Sequence, residues 1–333
     1  IEEVAANVPR LDYSDGGCPS LLLEPTATNL VTYSEDFSNT GWTRQPNTTF
    51  TYNTAETLSP DGTNNATKAV GNGTDGLIKQ GVSVTGVVAR SIYLKSVTGT
   101  VNVILKDPNE TITIKSLTVT TDWQRFDLVE DNLMSLQGLW IDDIPSSGIY
   151  IWGAQLEQNS YATSYIKTVG TTQTRVADTA TGSGNSTVIN STEGVLYAEI
   201  SALANDGTSR EFSLSSGVYA DTVRVIYSST DNRINIIVRR SSATLISLNV
   251  DLTNVLNFSK IAFKYSSSGS VVYVDGILIV SSLVDVSFPI NTLNTITFDR
   301  GDGIAGNFYG KTKSLQVYTT ALSDAELISL TTI

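Results

Sequence analysis

The chain has 333 residues, with 33 Asp and Glu against 21 Lys and Arg, a formal net charge of −12, no histidine, and a single cysteine, Cys18. The acidic balance argues against a nucleic-acid partner, because affinity for a phosphate backbone comes largely from Lys and Arg releasing counterions. A lone cysteine excludes an intrachain disulfide, and the lack of histidine excludes Cys/His metal sites and every His-dependent catalytic triad.

This length fits two domains of ordinary size better than one. Charged residues make up only 16% of the chain, and the aliphatics fall in short runs rather than in stripes of 3.6-residue period, which reads as all-β. No apolar run approaches the roughly 20 residues needed to cross a bilayer, so membrane insertion is not expected.

Residues 1–28 include "VPRLDYSDGGCPSLLLEPTATNL", where Pro9, Gly16, Gly17, Pro19 and Pro25 interrupt any regular element and predict an extended arm or connector. From Asn29 to about residue 170 short strands alternate with turns. Ser91–Lys95, Val101–Lys106, Ile112–Val119 and Trp123–Val129 each fit a strand, with "KDPNET" and "TTDW" as the turns between them. Residues 171–192 carry few large apolar side chains and read as a linker. Over 193–333 the runs "GVLYAEI", "TVRVIYS", "RINIIVR", "TLISLNV", "KIAFKY" and "SVVYVDGILIV" follow at nearly regular spacing, the pattern of a β-sandwich. Asp275-Gly276 predicts a type I′ hairpin, and Ser323 three residues before Glu326 predicts a capping box that starts one short C-terminal helix. The expected fold is therefore all-β, two tandem β-sandwich domains with that single helix.

Three stretches, "NLVTYSEDFSNTGWT" (Asn29–Thr43), "DWQRFDL" (Asp122–Leu128) and "IYIWGAQLEQNSYATSYI" (Ile149–Ile166), together resemble the carbohydrate-binding-module-like jelly roll of bacteriophage virion proteins. In that family a lead-in like Pro19–Leu30 often precedes the jelly roll, and residues like Arg175–Ala180 follow it. The second half, through Tyr273–Ile279 and Phe308–Leu330, resembles the concanavalin A-like, laminin-G-like lectin sandwich. The resemblance implies a virion-surface structural protein, a tail fibre, receptor-binding protein or capsid-surface fibre that adheres to host-surface glycans and meets other virion proteins. A trimer is the usual state of such fibres, although no heptad repeat here would enforce a homo-oligomer. Two rivals follow: a ligand-free virion decoration or joining protein, and a polysaccharide depolymerase.

Jelly-roll modules hold sugars by laying the ring on an aromatic face while carboxylates and amides bond the hydroxyls. Trp42, Trp123 and Trp152 sit inside the family motifs and are expected in the core. Trp140, in "QGLWIDDIPSSG" beside Asp142 and Asp143, lies outside them and is the first carbohydrate-binding candidate, with Tyr93 the second. Catalysis is not expected. The adjacent carboxylates Glu130/Asp131 and Asp142/Asp143 point to opposite faces of a strand, and the Glu-x-Asp-x-x-Glu strand of concanavalin-like glucanases is missing. Among cofactors only a structural Ca²⁺ is suggested, with Asp36, Asp299 and Asp302 as candidate ligands. In "IYIWGAQLE", strict alternation puts Gln155 and Glu157 on the face opposite Trp152, which makes the stretch a buried closing strand.

Overall fold

Short antiparallel strands dominate the computed structural model, which describes residues 8–107, 114–132 and 136–333. Two units emerge, one spanning Thr26–Ala177 and the other joining Val4–Pro25 to Asp178–Ile333. Strands β1 (Leu11–Asp12) and β2 (Ser20–Leu23) therefore belong with the C-terminal half, and the first unit is inserted between β2 and the strands that follow residue 178.

The inserted unit contains β3 (Ala27–Asn29), β4 (Thr43–Arg44), β5 (Thr49–Thr51), β6 (Thr67–Val70), β7 (Leu77–Ser83), β8 (Gly86–Ser96), β9 (Val101–Lys106), β10 (Ile114–Val119), β11 (Gln124–Asn132), β12 (Leu136–Asp142), β13 (Ile149–Glu157) and β14 (Gln173–Arg175). Ile112, the expected start of β10, lies outside the described residues. Two five-stranded sheets form, in the orders β10-β9-β12-β7-β4 and β11-β8-β13-β6-β5, and β14 pairs with β3. Alternation decides what each strand buries: on β9, Val103 and Leu105 join the core while Asn102 is exposed. Val88, Ile92 and Leu94 of β8 belong to the same cluster as Leu77, Leu139 and Ile141 of the other sheet.

One charged residue interrupts that apolar series. Arg90 takes the inward position between Val88 and Ile92 and is 0% exposed. Its guanidinium meets Asp107 at 2.6 Å and Glu130 at 2.9 Å, and donates to the Gly138 carbonyl at 2.8 Å and to Gln137 Oε1 at 3.1 Å. Asp107 also accepts the Gly138 N–H at 2.8 Å. Among the described residues, Glu130 answers the charge as an ion pair without a hydrogen bond, so Nη1 and the Glu130 oxygen stay unbonded while Nε and Nη2 are satisfied.

The closing strand departs from strict alternation. Trp152 pairs with Tyr93 and Gln155 with Ser91, so Gly153 and Ala154 together oppose one residue in a β-bulge. Gly153 has φ +64°, and a Cβ there would sit 3.1 Å from the Tyr93 ring, so the bulge needs glycine. The extra residue corrects the sequence reading: Gln155 and Glu157 share Trp152's face, while Ile149, Ile151, Ala154 and Leu156 face the core. That outer face is covered by the chain itself. Gln155 accepts from Ile166 N at 2.6 Å and donates toward Thr163 O at 3.3 Å. Glu157 accepts from both the backbone N–H and the hydroxyl of Thr163, and burial pushes its carboxyl above the usual range. Trp152, 1% exposed, packs on Tyr165 and donates to Asn65 Oδ1 at 2.8 Å.

In the second unit β1 and β2 join β15 (Gly194–Ala202), β16 (Arg210–Ser215), β17 (Thr222–Tyr227), β18 (Arg233–Arg240), β19 (Ala243–Asp251), β20 (Ser259–Ser266), β21 (Gly269–Val274), β22 (Ile277–Ser282), β23 (Thr295–Thr297), β24 (Gly310–Tyr318) and helix α1 (Asp324–Thr331). A seven-stranded sheet, β1-β2-β24-β15-β20-β21-β22, and a five-stranded sheet, β19-β18-β17-β16-β23, share one core with Phe212, Phe263 and Phe308 among its members. Asp275 and Gly276 both have positive φ, as the expected hairpin requires. Ser323 and Glu326 cap α1 reciprocally, and its Leu327 is buried with Val195 and Tyr273.

The expected arm over 1–28 is corrected over its described part, because Leu21–Leu23 pair with Gly310–Thr312 of β24 and Leu23 is 5% exposed within the core. Arg10 anchors this segment, meeting Glu24 at 2.6 Å and Asp178 through a second ion pair. The expected linker over 171–192 is likewise paired, through β14, through reciprocal backbone bonds between Ser183 and Ile296, and through Ile189 in the core.

Replacing Arg90 with Met strands the carboxylates of Asp107 and Glu130 without their counter-ion, and is expected to destabilise the chain by about 3–5 kcal/mol in urea unfolding. Deleting residues 1–23 exposes the edge of β24 and removes Leu23, a loss of roughly 1.5–3 kcal/mol from that side chain alone. Thermal unfolding of the truncated chain checks this; a detachable arm would leave the midpoint unchanged.

Candidate functional site

The sheet β10-β9-β12-β7-β4 has an outer face set by the same alternation that fills the core. Leu139 and Ile141 of β12 point inward, so Trp140 and Asp142 point out. Trp140 stands opposite Lys106 on β9 and Ile78 on β7, and Asp142 stands opposite Ile104. The Lys106 ammonium lies 3.7 Å from the centre of the indole ring and 2.7 Å from Asp142 Oδ2. Only 13% of the Lys106 side chain and 9% of Asp142 are exposed.

Two polar atoms here remain unsatisfied. Among the described residues, neither the Trp140 indole N–H nor Asp142 Oδ1 has a hydrogen-bond partner, and both are buried. Each such group costs about 1–3 kcal/mol. One aromatic face, one spare donor, one spare acceptor and an ammonium therefore converge on one patch of sheet. A polyhydroxylated ring carries the matching groups, an apolar face for the indole and hydroxyls for the two open atoms, and reaches those buried atoms only when the side chains around them shift. One side of the indole is already occupied by Lys106, so a ring uses the other side or moves the lysine.

The other sequence candidates are not all brought here. Asp143 follows Asp142 with φ +56°, where the strand ends and the chain turns away. Tyr93 is on the opposite sheet, edge-on to Trp152 at 5.4 Å with the Arg125 guanidinium 5.5 Å from its ring centre, and burial raises its phenol pKa. Tyr93, the second candidate, thus lies in an aromatic cluster with Trp152 and Tyr165, away from Trp140. Trp42 is 1% exposed, like Trp152. Trp123 is only half-buried, donating to the Leu58 carbonyl at 2.7 Å. Lys106 escaped sequence reading, although its outward position at the end of a regularly alternating strand was open to inspection.

The carboxylates suggested for calcium serve turns. Asp36 Oδ1 accepts from the Ser38 N–H and hydroxyl. Asp299 Oδ1 accepts from Thr297, Gly301 and Gly303, and Asp302 pairs with Arg300 at 2.6 Å. No group of three or more metal-ligating side chains occurs among the described residues. The adjacent acidic pairs point apart, Glu130 inward to Arg90 and Asp131 to solvent.

No helix among the described residues is long and apolar enough to cross a membrane. No protein-family model matches the chain, and no curated protein matches it. Among solved structures, a native heptameric SAP-like pentraxin from Limulus polyphemus is similar at 12% identity and TM-score 0.36, over 44% of this chain and 72% of that one. Domain 4 of an extracellular arabinanase from Geobacillus stearothermophilus, solved with arabinotriose, is similar at 14% identity and TM-score 0.34, over 48% of this chain and 73% of that one. A xylan-binding domain from Paenibacillus barcinonensis is similar at 18% identity and TM-score 0.33, over 42% of this chain and 99% of that one.

Proposed function

We propose that this chain is a non-enzymatic adhesion protein of a bacteriophage virion surface, and that its inserted sandwich holds host-surface glycans on the outer face around Trp140. The observation that carries the glycan reading is the pair of unsatisfied atoms, the indole N–H and Asp142 Oδ1, beside an aromatic ring and the Lys106 ammonium. The virion placement rests on the sequence resemblance of Asn29–Thr43, Asp122–Leu128 and Ile149–Ile166. Single shallow sugar sites bind weakly, and repetition on an oligomeric particle raises avidity by roughly 10²–10⁴.

A second reading is favoured by one specific feature. Lys106 covers one side of the indole and already pairs with Asp142, as in a closed structural cluster. In that reading the chain is a ligand-free joining or decoration protein.

Binding of the full chain to immobilised host-surface polysaccharides, with Trp140→Ala alongside, decides between the two. The glycan reading expects affinity to fall about tenfold or more, equivalent to about 1.4 kcal/mol, with the circular dichroism spectrum unchanged. Unaltered glycan binding in a folded variant removes Trp140 as the platform, and absence of any binding by the parent chain favours the joining protein. Lys106→Met separately tests the ion pair: leaving Asp142 alone in its half-closed setting is expected to cost about 1–3 kcal/mol in urea unfolding.

A further inference from the structure

The outer face of the sheet β19-β18-β17-β16-β23 gathers three arginines, with Glu211, Asp299 and Asp302 close by. Three guanidinium groups surround one phenol ring: Arg224 of β17, Arg239 of β18 and Arg300 of the loop after β23 lie 4.8, 4.3 and 4.6 Å from the centre of the Tyr219 ring. They come from three separate segments. The inward series Val223, Val225, Ile236 and Val238 fills the core, which leaves Arg224 and Arg239 to project outward beside Thr222. The loop carrying Arg300 is held on this face by Gly301, whose carbonyl accepts from Ser215 Oγ at 3.1 Å. A Cβ on Gly301 would come within 2.8 Å of the Ser215 Cβ, so only glycine allows the loop so close.

The charges are unevenly answered. Arg224 pairs with Glu211 at 2.8 Å and Arg300 with Asp302 at 2.6 Å. Arg239 has no carboxylate partner among the described residues; it donates to the Ser242 carbonyl at 2.6 Å and, at 3.5 Å, to the Tyr219 hydroxyl. The Nε atoms of Arg224 and Arg239 are both buried without a hydrogen-bond partner, and Arg224 is only 5% exposed. Arg300, by contrast, keeps 31% of its side chain in solvent, which leaves a way in. Burial raises the pKa of Glu211, while the charges of Arg224 and Arg300 favour its ionised form. Glu211 and Asp302 answer two of the three charges, which among the described residues leaves the Arg239 guanidinium beside the ring without a carboxylate of its own. An oxyanion with several acceptor oxygens answers both the missing charge and the unused donors, since guanidinium groups recognise carboxylate and sulfate through paired N–H bonds.

We propose that Arg224, Arg239, Arg300 and Tyr219 form a second binding site, in the C-terminal sandwich, for an oxyanion such as the carboxylate or sulfate of an acidic saccharide. The site is chemically distinct from the Trp140 patch and independent of it.

Calorimetric titration of the full chain with glucuronic acid, with sodium sulfate and with glucose as the neutral control tests the proposal. Saturable binding of glucuronic acid or sulfate that persists in Trp140→Ala, is about tenfold weaker in Arg239→Gln and is not matched by glucose in Trp140→Ala is the expected result. Tighter binding of the sugar acid than of sulfate identifies an acidic saccharide as the source, and sulfate alone identifies a free inorganic anion. Trp140→Ala is expected to leave this binding intact, which separates its outcome from that of the glycan patch. Arg239→Lys, which keeps the charge and loses the planar fork, is expected to recover only part of the affinity. The proposal is overturned when neither anion binds, or when both bind Arg239→Gln as well as the parent chain.

Discussion

The inserted sandwich depends on Arg90. Two sheets with apolar inner faces attract each other without specifying how they slide, because hydrophobic burial is non-directional. The Arg90 guanidinium supplies direction. It leaves β8 in one sheet, reaches Gly138 and Asp107 of the other, and returns to Glu130 of its own. Its hydrogen bonds to Gly138, Gln137 and Asp107 each have a length and an angle, so β8 is tied to the β9 and β12 side through one planar group. The gain lies more in specificity than in stability, because an apolar replacement for such a buried network often stabilises as well or better. Alternation about the shared core, with Val103, Leu105, Leu139 and Ile141 inward, then places Lys106, Trp140 and Asp142 outward.

In the second sandwich the comparable role falls to Arg10. Because the first unit is inserted, the chain leaves the second unit after Pro25 and re-enters it at Asp178. Arg10 holds both ends, bonding Glu24 on the departing segment and Asp178 on the returning one, while Glu24 N–H donates to Asp178 Oδ2 at 2.7 Å. Closing the ends of a long excursion costs chain entropy that grows only slowly with its length. One charge-assisted cluster at the point of closure, together with the pairing of β2 with β24, answers much of that cost. The "PSLLLEP" and "TRVADTA" stretches lie on either side of this junction, which gives their chemistry a structural reason: Leu23 supplies core, Glu24 and Asp178 supply the clamp.

Much of this fold was legible in the residues because local pattern and tertiary role coincide. The Asp275-Gly276 hairpin, the Ser323/Glu326 cap and the alternating strands of the C-terminal half all express themselves within a few neighbours. Three features were not legible, each for a non-local reason. The Gly153 bulge inserts one residue and reverses the side of everything after it, and no alternation count reveals where a strand slips. Leu21–Leu23, set among turn-formers, become strand because β24, nearly 300 residues later, offers them an edge. Lys106 reads as an ordinary strand-end lysine until β12 brings Trp140 and Asp142 beside it.

The two outer faces then pose different problems to a ligand. In an acidic chain several half-buried aromatic rings are met by cations: Lys106 over Trp140, Arg125 near Tyr93, Lys313 over Phe258 and three arginines about Tyr219. Such a cation keeps an aromatic surface hydrated at its rim and discourages self-association through bare apolar area. It also sets the terms of recognition. On the proposed reading, a neutral sugar at Trp140 competes with, or shares, the lysine already on the ring. An anion near Tyr219 meets no such competitor at Arg239, because the cations are themselves the groups it needs. Selectivity between the faces therefore follows from the charge of the ligand before its shape, and increasing ionic strength weakens the second face much more than the first.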